Sequence, residues 1–336
     1  MSKKSILADI LFRRLRYLTV PICGASRPKL FYVLAYHRVV PLPGPDYPFL
    51  DGTVSASPEA FEEQLRFVKK RFNVINFNDL SHLLSSGKQV PENSLVITFD
   101  DGYADNYEIA FKLLKMYGLT ATMFVSTSFV DSGKPLWFDK SAYIIKAIPK
   151  GTISFDCGRY EFEVTDNNRD EIIGSVRNLF LSHANEDRLR WLAELEQQSG
   201  VGIASEDMEA AKSLTWDQVR EMSDNGIEIG SHTVSHPYLT KLTRESLMFE
   251  LSESKKVIEE ITEKEVKSVA YPAGIFDQRV VECAKECGYE FGISYKHQVR
   301  RFTKDDTFAI PRIHVETDVE FPLFQANLLF PQLFVR

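Results

Sequence analysis

Three short stretches hold residue types that can do hydrolytic chemistry together. In Thr98-Phe99-Asp100-Asp101-Gly102-Tyr103, two carboxylates stand side by side at the end of an apolar run. Adjacent carboxylates point in divergent directions, so one can ligate a cation while the other, kept off it, accepts a proton. In Ser231-His232-Thr233-Val234-Ser235-His236-Pro237, two imidazoles stand four residues apart. Two imidazoles and one carboxylate suit a borderline divalent cation and leave a position open for water. In Ala270-Tyr271-Pro272-Ala273-Gly274, a Pro-Ala-Gly turn follows an apolar run and can aim a backbone N–H at a developing oxyanion. Each stretch also has an ordinary reading: an Asp-Gly turn, two unrelated histidines, a Pro-Gly turn. The combination carries the argument.

The elements that must position these residues alternate between two hydrophobic periods. Leu30–Tyr36, Ser94–Phe99, Thr120–Val125, Gly226–Gly230, Lys267–Tyr271, Phe291–Tyr295 and Phe308–Ile313 read as strands. Between most of them lie helical stretches. Ser57-Pro58 is an N-cap with proline at the first helical position, opening Glu59–Arg71. Ala104–Met116 ends at Tyr117-Gly118, and Thr215–Ser223 and Arg244–Thr262 follow later. Alternating strands and helices imply an α/β fold with a parallel sheet, and this count favours a barrel over an open sheet. The reactive residues sit at strand ends: Asp100-Asp101 after LVITF, His232 after IEIGS, Pro272 after SVAY, His37 after FYVLAY and Arg312 after FAIP. In α/β barrels such ends converge on one mouth. The stretch of about 131–213 breaks the rhythm and reads as an insertion between a strand and its following helix.

Composition bounds the partners. The 336 residues are 44% hydrophobic and 26% charged, with a net charge of −7. Residues 1–30 carry net +6 and the remainder net −13. An acidic body excludes nucleic acid as the expected partner, because phosphate neutralisation needs a Lys/Arg surface. Cys23, Cys157, Cys283 and Cys287 form neither a disulfide framework nor a CxxC, which favours a reduced, cytoplasmic setting. No run reaches the roughly 18 apolar residues of a membrane span. The basic N-terminal segment (1–29) spaces Leu7, Leu11, Leu15 and Leu18 as on one helix face, and either lies on a membrane surface or packs on the domain. An apolar C-terminal tail (319–336) follows the body (30–318).

TFDDGY, HTVSH and YPAG, in that order, resemble the first three motifs of the polysaccharide deacetylases (NodB homology, carbohydrate esterase family 4). The resemblance spans most of Leu30–Val315 apart from the insertion. It implies a distorted (β/α) barrel with fewer than eight strands and metal-dependent de-N-acetylation of an N-acetylated sugar in a glycan or glycan precursor. It also implies roles: Asp100 as general base, Asp101, His232 and His236 as ligands of one divalent ion, and the Ala273 N–H as oxyanion donor. Zinc comes first for that ion, with cobalt, nickel and manganese as substitutes. Tyr103 and Tyr271, inside the motifs, and Trp137, in the insertion, are assigned to substrate contact. Trp137 can equally anchor the insertion.

Two positions depart from the pattern. The family's arginine two residues before the motif-three proline is Ala270 here, and Arg312 is the candidate to pair with Asp100 in its place. The late Leu-x-His motif that supplies the general acid is absent. LAYHRVV resembles the early Tyr-His of the circularly permuted poly-N-acetylglucosamine deacetylases, which makes His37 the acid and His314 its rival. The loop after His37 and the insertion should both overhang the mouth. His82, His183 and His297 read as solvated. The alternatives are hydrolysis of a small cyclic amide on this scaffold, or a non-catalytic glycan-binding protein. The intact set of Asp100, Asp101, His232 and His236 argues against the latter.

Overall fold

Seven apolar runs form parallel strands that close on themselves: β1 (Tyr32–Tyr36), β2 (Ser94–Phe99), β3 (Thr122–Val125), β4 (Glu228–Ser231), β5 (Ser268–Ala270), β6 (Phe291–His297) and β7 (Ile310–His314). Each pairs with its successor, and β7 returns to β1, so the ring has no free edge. A two-residue strand, Asn73–Val74, lies outside the ring against β2. The computed structural model describes residues 30–335 apart from 45–46, 304–306 and 318, so the basic N-terminal segment lies outside the described residues. Among those described, no helix is long and apolar enough to cross a membrane.

The strands are continuous apolar runs because both of their faces are covered. By alternation, Val33, Val96, Phe124, Ala270, Ile293 and Ile310 fill the barrel interior. Leu34, Ile97, Val125, Ile229, Val269 and Ile313 meet the surrounding helices. The Phe77–Ser85 helix plugs the end where strands begin, its Phe77 ring 5.4 Å from Phe291 and 6.2 Å from Phe124. Helix starts follow their local chemistry: Ser57 Oγ accepts from Ala60 N ahead of Pro58, and Thr215 closes a capping box with Gln218. Ala104–Met116 is not one α-helix. It opens as a π-helical segment, Asn106–Phe111, before Lys112–Tyr117.

The insertion leaves β3 and rejoins at the Trp216–Asp224 helix. It holds the Trp137–Ala147 helix, an antiparallel hairpin (Gly151–Phe155 with Tyr160–Val164) and the helices Arg169–Ser182 and Asn185–Ser199. Phe155, Val176, Phe180, Trp191 and Leu195 give it a core of its own. The C-terminal run does not trail away. Its Phe321–Leu329 helix sets Phe321 and Phe324 against Phe67 of the Pro58–Arg71 helix.

Candidate active site

The three motifs leave their strands through strained backbone. Asp101 (φ 78°), Thr233 (φ 69°), His236 (φ 52°) and Ala273 (φ 53°) are four of the eight non-glycine residues with positive φ among those described. Such conformations persist only where surroundings hold them, and they cluster at functional sites. Here the holding bonds are plain. Ser126 N donates to the Asp101 carbonyl (3.1 Å), and Thr233 N to Ser231 Oγ (3.0 Å). Glu250 reaches in from the Arg244–Thr262 helix and accepts from Val234 N, Ser235 N and Ser235 Oγ at 2.5–2.9 Å. At Gly274 (φ 66°) a Cβ would stand 2.1 Å from Tyr295 N, so only glycine lets this turn close on β6.

Asp101 Oδ1 lies 3.5 Å from His232 Nε2 and 3.5 Å from His236 Nε2. That is long for a charge-assisted hydrogen bond. It is close to the roughly 3.3 Å edge of a tetrahedron with bonds of 2.0–2.1 Å to a central ion. His232 Nδ1 stands 2.8 Å from the Ala270 carbonyl, which can only accept, so Nδ1 carries a proton and in the neutral imidazole the Nε2 lone pair faces Asp101. Asp101 Oδ1 is buried with no hydrogen-bond partner. Burial pushes the Asp101 carboxyl up, but His232 and His236 outweigh it and hold it below its ordinary value. A buried anionic oxygen left without a donor between two imidazole nitrogens fits a divalent cation. Among the described residues this is the one group so arranged.

Asp100 is paired differently. Arg312 donates Nη1 to Asp100 Oδ1 and Nη2 to Oδ2, each at 2.7 Å, the planar fork that a guanidinium makes with a carboxylate. Ser294 O accepts from Arg312 Nε at 3.0 Å and Thr98 Oγ1 from Nη1 at 3.2 Å. Two residues past Ile310 on β7, Arg312 shares its inward face and is fully buried. Burial would raise the Asp100 carboxyl, but Arg312 and then His232 hold it well below the usual range. Asp100 is therefore ionised throughout ordinary pH.

The rival histidines occupy unlike places. His37 is held at the mouth, its N–H on Ser55 Oγ (2.9 Å) and its carbonyl on Asn106 Nδ2 (2.8 Å), and it lines the cavity over the site. Asn106 opens the π-helical segment, and Asp105 just before it binds Val39 N and the Arg38 guanidinium. His314 stacks on Tyr295 (3.6 Å, 15°) and gives its Nε2 hydrogen to the Tyr295 carbonyl at 2.7 Å. Burial, then His297, pushes the His314 pKa down to about 3.

The cavity is about 610 Å³. Asp100, Asp101, His232, His236, Arg312 and His37 line it together, with Ala273 at its edge. The loop after His37 contributes Leu50, Thr53 and Val54, and the insertion contributes Trp137, Phe138, Arg177 and Leu181. Trp137 is both wall and anchor, since its Nε1–H donates to the His236 carbonyl. Two expected substrate contacts are corrected. Tyr103 is fully buried, turned away by the positive φ of Asp101 and Gly102, and its hydroxyl donates to Asp139 of the insertion at 2.5 Å. Tyr271 follows inward-facing Ala270 and so turns outward, where it is buried against Phe276 with its hydroxyl on Phe308 O. His183 and His297 are half-buried rather than solvated, bonded to Tyr160 Oη and to His314 N.

Comparison with known proteins agrees with this geometry. The protein YxkH of Bacillus subtilis (strain 168), whose name refers it to the polysaccharide deacetylases, is 22% identical over 270 residues. Those residues are 80% of this chain and 66%, just under two thirds, of YxkH. The fold is similar to that of the Streptococcus pyogenes deacetylase PplD (TM-score 0.61, 17% identity), covering 90% of this chain and 100% of that one. It is also similar to IcaB from Ammonifex degensii (TM-score 0.57, 15% identity), covering 90% and 97%. The model of the polysaccharide deacetylase family matches residues 87–292, a span that runs from the strand bearing Asp100 and Asp101 through both histidines to the Pro272 turn. The chain belongs to the polysaccharide deacetylase family.

Proposed function

We propose that this chain removes acetyl groups from N-acetylated sugars of a glycan or glycan precursor, using one divalent ion and releasing acetate. The observation that carries the reading is the division of labour between neighbours. Asp101 has a buried oxygen and no donor, whereas Asp100 is locked to Arg312 a residue away. Asp101, His232 and His236 would hold the ion, zinc first, which when bound supplies Lewis-acid polarisation of the acetamide carbonyl and a more acidic water.

The chain's own groups do the rest. Asp100 keeps a fixed orientation and a permanent negative charge, so it can take the proton of an attacking water. Its pairing weakens it as a base, and in exchange places its oxygens without a search over rotamers. The Ala273 N–H, at the cavity edge, is the donor assigned to the developing oxyanion. His37 supplies the proton to the departing amine. His314 suits that role poorly: it is neutral at working pH, and its one hydrogen is committed to the Tyr295 carbonyl. Leu50, Trp137, Phe138 and Leu181 form an apolar wall of the cavity beside these groups. The test is acetate release from a panel of N-acetylated oligosaccharides and lipid-linked sugars, with and without chelator. Release from at least one that stops on chelation is expected. Release from none of them, with turnover of a small cyclic amide instead, would replace the substrate assignment.

A further inference from the structure

The insertion touches the ligand set as well as the cavity. The His236 carbonyl accepts two hydrogen bonds, both 3.2 Å and both from the insertion: Trp137 Nε1–H and Arg188 Nη1–H. Arg188 lies on the Asn185–Ser199 helix and is only 2% exposed. Its guanidinium sits 4.9 Å over the Trp137 ring and 5.9 Å from that of Tyr238, with Nη2 on Asn185 Oδ1. Nε has no partner, and among the described residues no carboxylate comes within ion-pair distance. The Phe138 ring meets the His236 imidazole edge-on at 5.2 Å.

A buried guanidinium that no carboxylate pairs with directly is costly even with the Glu250 charge nearby, and a methionine or leucine would pack that space more cheaply if packing were the only need. What Arg188 does that an apolar residue cannot is donate to this carbonyl. His236 is where such a donor matters. Its φ of 52° is strained for a side-chain-bearing residue, and its own N–H has only a 3.2 Å bond to Thr233 Oγ1. Holding its carbonyl fixes the backbone at His236 in this strained conformation, and that backbone sets the direction of the Cα–Cβ bond that aims the imidazole at Asp101. We infer that Arg188, with Trp137, is a positioning residue for His236, so that the insertion is part of the ion site rather than only a cover over it. The inference rests on the proposed divalent-ion reading.

The experiment is zinc and cobalt titration of the chelated full-length protein, parent against Arg188→Met, Arg188→Lys and Trp137→Phe, with the visible spectrum of the cobalt form and the unfolding temperature of the metal-free protein. Arg188→Met should keep the metal-free unfolding temperature within a few degrees, yet bind zinc about 10-fold or more weaker, as loss of an outer support does. Its cobalt spectrum should shift, and Arg188→Lys should recover part of the affinity. If Arg188→Met fails to fold, Trp137→Phe, which keeps an aromatic ring and loses one donor, carries the test with a smaller expected loss. Unchanged affinity and spectrum in Arg188→Met or, failing that, in Trp137→Phe would overturn the inference while leaving the ion site intact. A parent that takes up neither ion would instead remove the reading beneath it.

Discussion

The two ends of the barrel each bury carboxylates, and they treat them in opposite ways. At the closed end, Glu228 accepts from Phe77 N (2.6 Å), Asn78 N (3.2 Å), Thr122 Oγ1 (2.8 Å) and Ser268 Oγ (2.9 Å). It caps the plugging helix and ties it to β3 and β5. At the open end, Asp101 Oδ1 is equally buried and has no donor, with two imidazole nitrogens 3.5 Å away. Native proteins satisfy nearly all buried polar atoms, and a buried carboxylate oxygen that faces two imidazole nitrogens with no donor fits a place kept for a cation. A carboxylate with donors on both oxygens is architecture, and one with a buried oxygen left without a donor is equipment.

That contrast can be broken by exchanging the kind of damage each end suffers. His232→Ala should lose the ion and bring turnover to background while the metal-free protein unfolds near the parent temperature, read by metal analysis and calorimetry. Loss of folding without loss of ion binding would mean the open end is architectural too. Next in size is His37→Ala, which should bind ion and substrate yet lose roughly 10²–10⁴ in kcat, the range for a missing general acid. A near-normal rate in His37→Ala, with the loss appearing in His314→Ala, would move the acid to β7. At the closed end, Glu228→Ala strands four buried donors and should cost about 3 kcal/mol of stability. Folded Glu228→Ala should still bind one ion, and denaturant titration with metal analysis separates the two effects.

How much of this was legible in the sequence follows from what each residue depends on. Asp100, Asp101, His232 and His236 lie within short motifs at strand ends, so their convergence needed only the strand pattern. Arg312 was found through a gap: Ala270 left the base without a counter-charge, and strand alternation from Ile310 supplies one. Motif membership alone does not place Tyr103 and Tyr271: strand alternation turns Tyr271 outward, and the turn at Asp101-Gly102 turns Tyr103 away. Glu250 and Arg188 could not be read at all. Glu250 acts on the His236 loop from the Arg244–Thr262 helix that follows it and Arg188 from a helix of the insertion, and nothing local marks either for that task. Asp139 is equally silent in the sequence, since its partner Tyr103 lies 36 residues away.

Asp139 gives the smallest expected effect, at the joint between barrel and insertion. Burial is the main force raising its pKa to about 6, against an unfolded value near ~3.9. A carboxyl raised on folding contributes stability that is fully present below the unfolded pKa and lost as pH climbs through the folded one. The parent should therefore lose about 2 kcal/mol between pH 4 and pH 8 on account of this group, and Asp139→Asn should flatten that slope. Equal slopes in the two proteins, by chemical denaturation across that range, would show that the carboxyl is not buried at this joint.

The adjacent carboxylates are proposed to divide two tasks, Asp101 ligating the ion and Asp100 accepting the proton of the attacking water. The most direct measurement is zinc titration into chelated parent and chelated Asp100→Asn, following bound metal and acetate released from an N-acetylated oligosaccharide in the same samples. The account predicts that both proteins bind one equivalent and that only the parent regains acetate release as the ion is taken up. Acetate release by the chelated parent, or loss of the ion in Asp100→Asn, would contradict it.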